Sequence, residues 1–307
     1  MWKKRRTKKQ VDKLITKNMA DTPLQSWEAF IHPTDKGTLN ALKKIPLFDK
    51  ACSKLISTIS EPVYRVRDMS SKIRITDKQL PRVYHMTESI CHKIGIEMPA
   101  LYLELNRSPN AYAYGTEGFS ITIHSGLLEC LADDELYAVL AHECGHIACQ
   151  HVLYHTVGGL LLGGGTLGMS AINDILGSTL VGGLIKAAAE TSLQLAFYHW
   201  KRCSELSADR IAVYCCGSAE PVIKTMMRLS GGTSHINAEV DMKLFLSQAE
   251  DYETMLTDKK INKALEFLLV CDETHPLTAI RAYEAQKFAA SDEFKEIVLK
   301  ASAASVS

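Results

Sequence analysis

The sequence lacks a prevailing charge. Its 35 Lys and Arg balance 35 Asp and Glu, which removes any global electrostatic case for nucleic acid or for a strongly charged substrate. Signs of a secretory leader are missing as well, because Asp12, Lys13 and Lys17 interrupt the stretch after the basic head MWKKRRTKKQ where an apolar run would have to begin. Nor is there a disulfide framework. The nine cysteines are odd in number and scattered, with Cys215 and Cys216 adjacent, a usage that suits buried or free thiols in a reducing cytosol. No internal repeat is present.

What is present is enough apolar sequence to build a core: 307 residues, 46% hydrophobic and 23% charged, which fits one large or two modest globular domains. Residues 1–23 read as a basic N-terminal tail. Within it, residues 1–18 carry eight Lys or Arg against one Asp. Trp2, Val11, Leu14 and Ile15 are interleaved, so the segment is a solvated tail in the first reading and a peripheral contact with an anionic membrane in the second. Residues 24–290 read as a single domain in three parts. Over 24–98 the stretches LNALKKIPLFDKACSKLISTI and KQLPRVYHMTESICHKIGI place apolar residues three and four apart, which predicts helices. Over 99–126 the short runs LYLEL, AYAYG and FSITIHS predict a small antiparallel sheet. Over 127–290 the pattern is helical again, interrupted by a glycine-rich insertion at 156–185 that holds nine of the eighteen glycines. Residues 291–307 read as a C-terminal tail. The expected class is α+β, mainly helical.

The densest chemistry lies in AHECGHIACQH, residues 141–151. On a helix His146 lies about 40° around from His142 and one turn along, so both imidazoles can reach one ion. His151 and His155 fall on the far face by the same count, which makes them packing residues. Cys144 faces away from His142, and Cys149 is about 10 Å further along the axis, so both thiols read as packing too. Glu143 sits at the edge of the ion-facing side, able to touch a water without ligating the ion. That is the arrangement of a metal hydrolase: the ion acidifies the water and the carboxylate moves its proton. H-E-x-x-H on a helix is its sequence form, but three fixed residues require a third ligand. Ser204-Glu205-Leu206-Ser207-Ala208-Asp209 offers two carboxylates on one helical face. Glu205 can complete a His₂Glu site and Asp209 can accept the second ring N–H of a ligating histidine. On spacing alone a plain acidic helix face is an equal reading.

Together AHECGH and SELSAD resemble the gluzincin metallopeptidases, in the branch containing the CAAX prenyl endopeptidases and the HtpX-like proteases, over about residues 28–285. The resemblance implies a zincin-like fold with its sheet beside the active-site helix. It implies one zinc ion per chain bound by His142, His146 and Glu205, with Glu143 as general base and Asp209 in support. SPNAYAYG resembles the family's edge strand, where an extended polypeptide substrate adds as a further strand, which makes Asn110, Ala111 and Tyr112 substrate contacts. Thr274-His275-Pro276, followed by Arg281, is similar to the family's His-Pro element. Pro276 suits the first turn of a helix, and His275 at its cap could donate to a developing oxyanion.

Thr156–Asn173 is free of charged residues and carries G-x-x-x-G spacings, so a membrane span has to be weighed. If His146 and Glu205 meet on one ion, the chain between them crosses an even number of times or never. The second apolar stretch, Ile175–Ile185, falls short of the ~20 residues a span needs. The expectation is a pair of short helices or a lid, with interfacial membrane contact as the lesser reading. The functional expectation is a cytosolic zinc endopeptidase acting on unfolded or extended polypeptides, in the manner of protein quality control. Its rivals are a non-catalytic zinc-binding protein and a membrane-surface adaptor.

Overall fold

A computed structural model describes residues 27–43, 61–115, 118–155, 191–231, 239–257 and 277–304. A 3-10 turn, Trp27–Phe30, leads into α1 (Pro33–Lys43); α2 (Glu61–Ser71) runs into β1 (Ile73–Ile75), and α3 (Pro81–Ile94) precedes β2 (Ala100–Glu104), β3 (Ala111–Tyr114) and β4 (Ser120–His124). The rest is helical: α4 (Ser125–Cys130), α5 (Asp133–Ala148), α6 (Thr191–Cys216), α7 (Glu220–Gly231), α8 (Met242–Thr257), α9 (Thr278–Ala290) and α10 (Asp292–Ala304). The described protein is therefore α+β and mainly helical, with one small sheet.

Local sequence sets where the helices begin and end. Pro81 occupies the first turn of α3, and Gly95 closes it at φ 70° with its N–H returned to the Cys91 carbonyl. Val83, Thr87, Ile90, Cys91 and Ile94 form its buried stripe. Helix α5 starts without a capping oxygen at Ala132, so Glu135 reaches back to the Ala132 N–H at 2.8 Å. Asp133 and Asp134 sit with it in the electropositive first turn. Arg228 of α7 then clamps the same Glu135 carboxylate through two bonds of 2.8 Å, tying α7 to the start of α5.

Helix α5 is the axle of the fold. It is buried along most of its length and packs against α3, α6, α7 and β3. The approach of α6 is close enough to favour glycine: a Cβ on Gly145 would lie 3.1 Å from Ala208 Cα and 3.2 Å from its carbonyl oxygen. Glycine at that position lets α5 and α6 come together.

The sheet has the order β1-β2-β4-β3. It is mixed rather than antiparallel, because β2 pairs parallel with β4, Leu101 beside Ile121, while β1–β2 and β3–β4 are antiparallel. The chain leaves β2, passes to the outer edge as β3, and turns back so that β4 fills the gap. All of β4 is buried. Ile121 and Ile123 belong to the apolar core. On the opposite face Thr122 accepts a hydrogen bond from Lys72, whose ammonium also meets Asp68 at 2.7 Å and the Tyr112 hydroxyl at 2.9 Å. Strand β1 corrects the expectation that 24–98 is helical throughout; its signal is the alternation Ile73-Arg74-Ile75. The C-terminal segment is also more than a tail. Helix α10 buries Phe294, Val298 and Ala301, a stripe at i, i+4 and i+7. Residues 1–23 and 156–185 lie outside the described residues, and so does the His275-Pro276 element.

Candidate metal centre

His142 and His146 project from one face of α5, and Glu205 and Asp209 from one face of α6. Nε2 of His142 and Nε2 of His146 are 3.0 Å apart. Glu205 Oε2 lies 3.4 Å from the first and Glu205 Oε1 3.3 Å from the second. Among the described residues this is the one cluster of His, Cys, Asp or Glu with three ligand atoms within 4.8 Å of one another. Ligand atoms on a tetrahedron with bonds of about 2.0–2.1 Å stand roughly 3.3–3.4 Å apart, so the spacing suits a small divalent cation.

Hydrogen bonding fixes which atoms face that point. A carboxylate only accepts, so the 2.9 Å contact between His142 Nδ1 and Asp209 Oδ1 makes Nδ1 the donor and turns the Nε2 lone pair of neutral His142 toward His146 and Glu205. Arg281 of α9 holds Asp209 through Nε to Oδ2 at 2.8 Å and Nη2 to Oδ1 at 2.7 Å. Its Nη1 also meets Glu205 Oε2 at 2.9 Å. His142, His146, Glu205, Asp209 and Arg281 are all buried.

The electrostatics agree. Burial alone would depress His142, but its hydrogen bonds to Asp209 and Glu205 outweigh that and raise its pKa to about 9. His146 goes the other way, to about 3, because burial dominates and His142 and His151 oppose a further charge. Burial would raise Asp209, yet Arg281 holds it below the usual carboxylate range. The site thus draws in positive charge, and one proton can serve only one nitrogen, whereas a divalent ion serves two imidazoles and a carboxylate together.

A cavity of about 580 Å³ opens beside this cluster. It is lined by His142, Glu143, Asp209 and Arg281, by Asn110 and Ala111 at the start of β3, and by Val222, Met226 and Leu229 of α7. Glu143 therefore shares the cavity with His142. Strand β3 lies at the end of the sheet order, so its outer edge has no strand partner among the described residues. Tyr112 departs from the expectation of a substrate contact: its hydroxyl is bound to Lys72 and Glu104 across the sheet. Side chains alternate along a strand, so Ala111 and Tyr112 face opposite ways.

Sequence reasoning put His151 and His155 on the far face of the helix. The structure corrects this. Helix α5 stops at Ala148, Gln150 takes a left-handed φ of 60°, and residues 151–155 are helical again after this break. His151 Nδ1 then sits 3.0 Å from His146 Nδ1, and the His146 and His155 ring centres are 5.1 Å apart. Arg281 appeared in the sequence only as a neighbour of the His-Pro element, and Asp35 not at all; each is one of several polar residues in its helix, and its partners lie far along the chain. Cys144 and Cys149 are buried, in keeping with their reading as packing residues.

Comparison with known proteins follows the same lines. The sequence pattern of Peptidase family M48 matches residues 77–289. The chain is 29% identical over 281 residues to the plastoglobule-localized metallopeptidase 48, chloroplastic, of Arabidopsis thaliana, covering 89% of this chain and 75% of that protein. It is 27% identical over 196 residues to a protease HtpX homolog of Trichormus variabilis, covering 58% of this chain and 65% of that one. Among solved structures it is similar to S. mikatae Ste24p, at 16% identity and a TM-score of 0.44, covering 83% of this chain and 61% of that one. With a buried His-His-Glu cluster beside a cleft, and with the family pattern spanning most of its length, the chain belongs to peptidase family M48 and is a metallopeptidase.

Proposed function

We propose that the protein is a zinc-dependent endopeptidase that hydrolyses peptide bonds in unfolded or extended polypeptides. The observation that carries the reading is the convergence of His142 Nε2, His146 Nε2 and a Glu205 oxygen within bonding range of one point, with Glu143 lining the same cavity. Two imidazoles and one carboxylate are the donor set of a catalytic zinc site that keeps a position open. Bound there, zinc would polarise the scissile carbonyl and acidify the attacking water.

The remaining work falls to side chains and backbone. Glu143 accepts the proton of the attacking water and delivers it to the leaving amine. Asp209 holds His142 with its proton on Nδ1, and Arg281 holds Asp209. The outer edge of β3 receives an extended chain by main-chain hydrogen bonding that is largely indifferent to side chains, next to the cavity that Asn110 and Ala111 line. His275, which lies outside the described residues, is assigned to the oxyanion. A protein quality-control role is consistent with such sequence tolerance. Residues 1–18 and 156–185 are the candidates for peripheral membrane contact, which liposome flotation with and without residues 1–18 would detect.

The test compares purified wild type with Glu143→Gln for metal content and for cleavage of casein or a peptide library. About one zinc per chain is expected in both, with cleavage lower by about 10²–10⁴-fold in the variant. Equal cleavage by the two would discard Glu143 as base.

A further inference from the structure

The N-terminal helix α1 lies outside the residues that match the family pattern, 77–289, yet it reaches the metal site. Asp35, in the first turn of α1, is buried and is met by three side chains. Its Oδ1 accepts from Trp200 Nε1 at 3.0 Å. Its Oδ2 accepts from the Ser207 hydroxyl at 2.6 Å and from His151 Nε2 at 2.9 Å. His151 Nδ1 is in turn 3.0 Å from His146 Nδ1.

With both histidines neutral, the donors and acceptors present set the direction of each bond in this network. The backbone N–H of His32 donates to Ser207 Oγ at 2.9 Å, so the Ser207 proton goes to Asp35. Indole nitrogen can only donate, so Oδ1 is an acceptor. With donors on both oxygens Asp35 is a carboxylate, and His151 must carry its proton on Nε2. The Nδ1 of neutral His151 is then an acceptor, His146 must donate from Nδ1, and the Nε2 lone pair of His146 is turned toward His142 and Glu205.

We propose that Asp35 and His151 are positioning residues of the metal site: acting from α1, they hold His146 in the one tautomer that can bind a metal through Nε2. The His142 side of the cluster is set by Asp209 and Arg281; the His146 side is set by His151, Asp35 and Ser207. The inference rests on the reading of His142, His146 and Glu205 as ligands. It adds that a helix at the other end of the chain completes the second half of their support. Asp35→Asn is the sharpest perturbation, since it keeps the shape but puts an N–H₂ against one of the donors on Asp35. If it faces His151, the His151 proton moves to Nδ1 and the His146 proton to Nε2, where it blocks the ligand atom.

The experiment uses the full chain, with zinc and cobalt(II) as probes. Zinc affinity is measured by competition with a chromophoric chelator, and the visible spectrum of the cobalt(II) form reports ligand geometry. Asp35→Asn is expected to bind zinc about 10–100-fold more weakly than wild type, with an altered cobalt(II) spectrum. Unchanged affinity together with an unchanged spectrum would overturn the role of Asp35 and His151 while leaving the ligand assignment standing. Failure of wild type itself to bind zinc, or retention of tight binding in His146→Ala, would overturn the ligand assignment and this inference with it. Should Asp35→Asn not fold, long-range ¹H–¹⁵N correlation on ¹⁵N-histidine-labelled wild type, stripped of metal, decides directly. Nδ1–H on His146 and Nε2–H on His151 support the inference, and Nε2–H on His146 overturns it.

Discussion

Arg281 is the residue on which the site's charge depends. Its guanidinium is buried against Asp209 and Glu205, with four contacts of 2.7 to 3.4 Å to Asp209, Glu205 and His142. Burial would lower its pKa, but the two carboxylates outweigh that and raise it. Arg281→Ala would leave those carboxylates facing each other in a dry site, and loss of one partner of a buried pair costs about 3–5 kcal/mol. The expected result is a lower urea midpoint for the variant, measured in the presence of a chelator so that metal binding does not mask it; a midpoint equal to wild type would contradict the account. Residue chemistry of this kind was half legible. The pairing of Asp209 with His142 is one of two equal readings that its i, i+4 spacing after Glu205 allows, and nothing local to Arg281 says that it faces both carboxylates.

At the scale of elements, the candidate metal site is a helix crossing. His142 and His146 ride on α5, Glu205 and Asp209 on α6, and Gly145 sets their separation. A methyl group there would meet Ala208 Cα at 3.1 Å, its carbonyl at 3.2 Å and Ile211 Cβ at 3.3 Å, atoms that cannot swing aside. Gly145→Ala should cost about 1–3 kcal/mol through overpacking and should weaken metal binding as well, because the displaced helix carries Glu205. Chelator competition and thermal melting test both parts, and a variant with wild-type affinity would show that the crossing tolerates movement. Regular helices made this level readable: angles counted along α5 and α6 place four of the site's side chains. The count failed at His151, because a left-handed Gln150 ends α5 without the glycine or proline that normally signals such a break. It failed also for the parallel pairing of β2 with β4. Pairing partners are chosen by tertiary contacts, and each strand looks the same in either direction.

At the scale of the whole molecule, the site gathers residues from Asp35 to Arg281. Partners of Asp35 stand 116, 165 and 172 positions away, and no periodicity reports contacts of that range. Such a carboxylate also makes stability depend on pH. Burial would raise Asp35, but hydrogen bonds from His151, Ser207 and Trp200 hold it below the usual carboxylate range. A group depressed in the folded state contributes stability that is complete above its unfolded pKa and is lost as pH falls through the lower folded value. Urea denaturation should therefore separate wild type from Asp35→Asn at neutral pH and bring the two together at the acid end; a constant gap across the range would contradict this. The central claim is that two imidazoles and one distant carboxylate grip a single ion in a protein that also has nine cysteines. X-ray absorption at the zinc edge of the loaded wild type tests it most directly. The account predicts a first shell of nitrogen and oxygen only, at about 2.0–2.1 Å, with two imidazoles; sulfur at about 2.3 Å, or the same spectrum after Glu205→Ala, would contradict it.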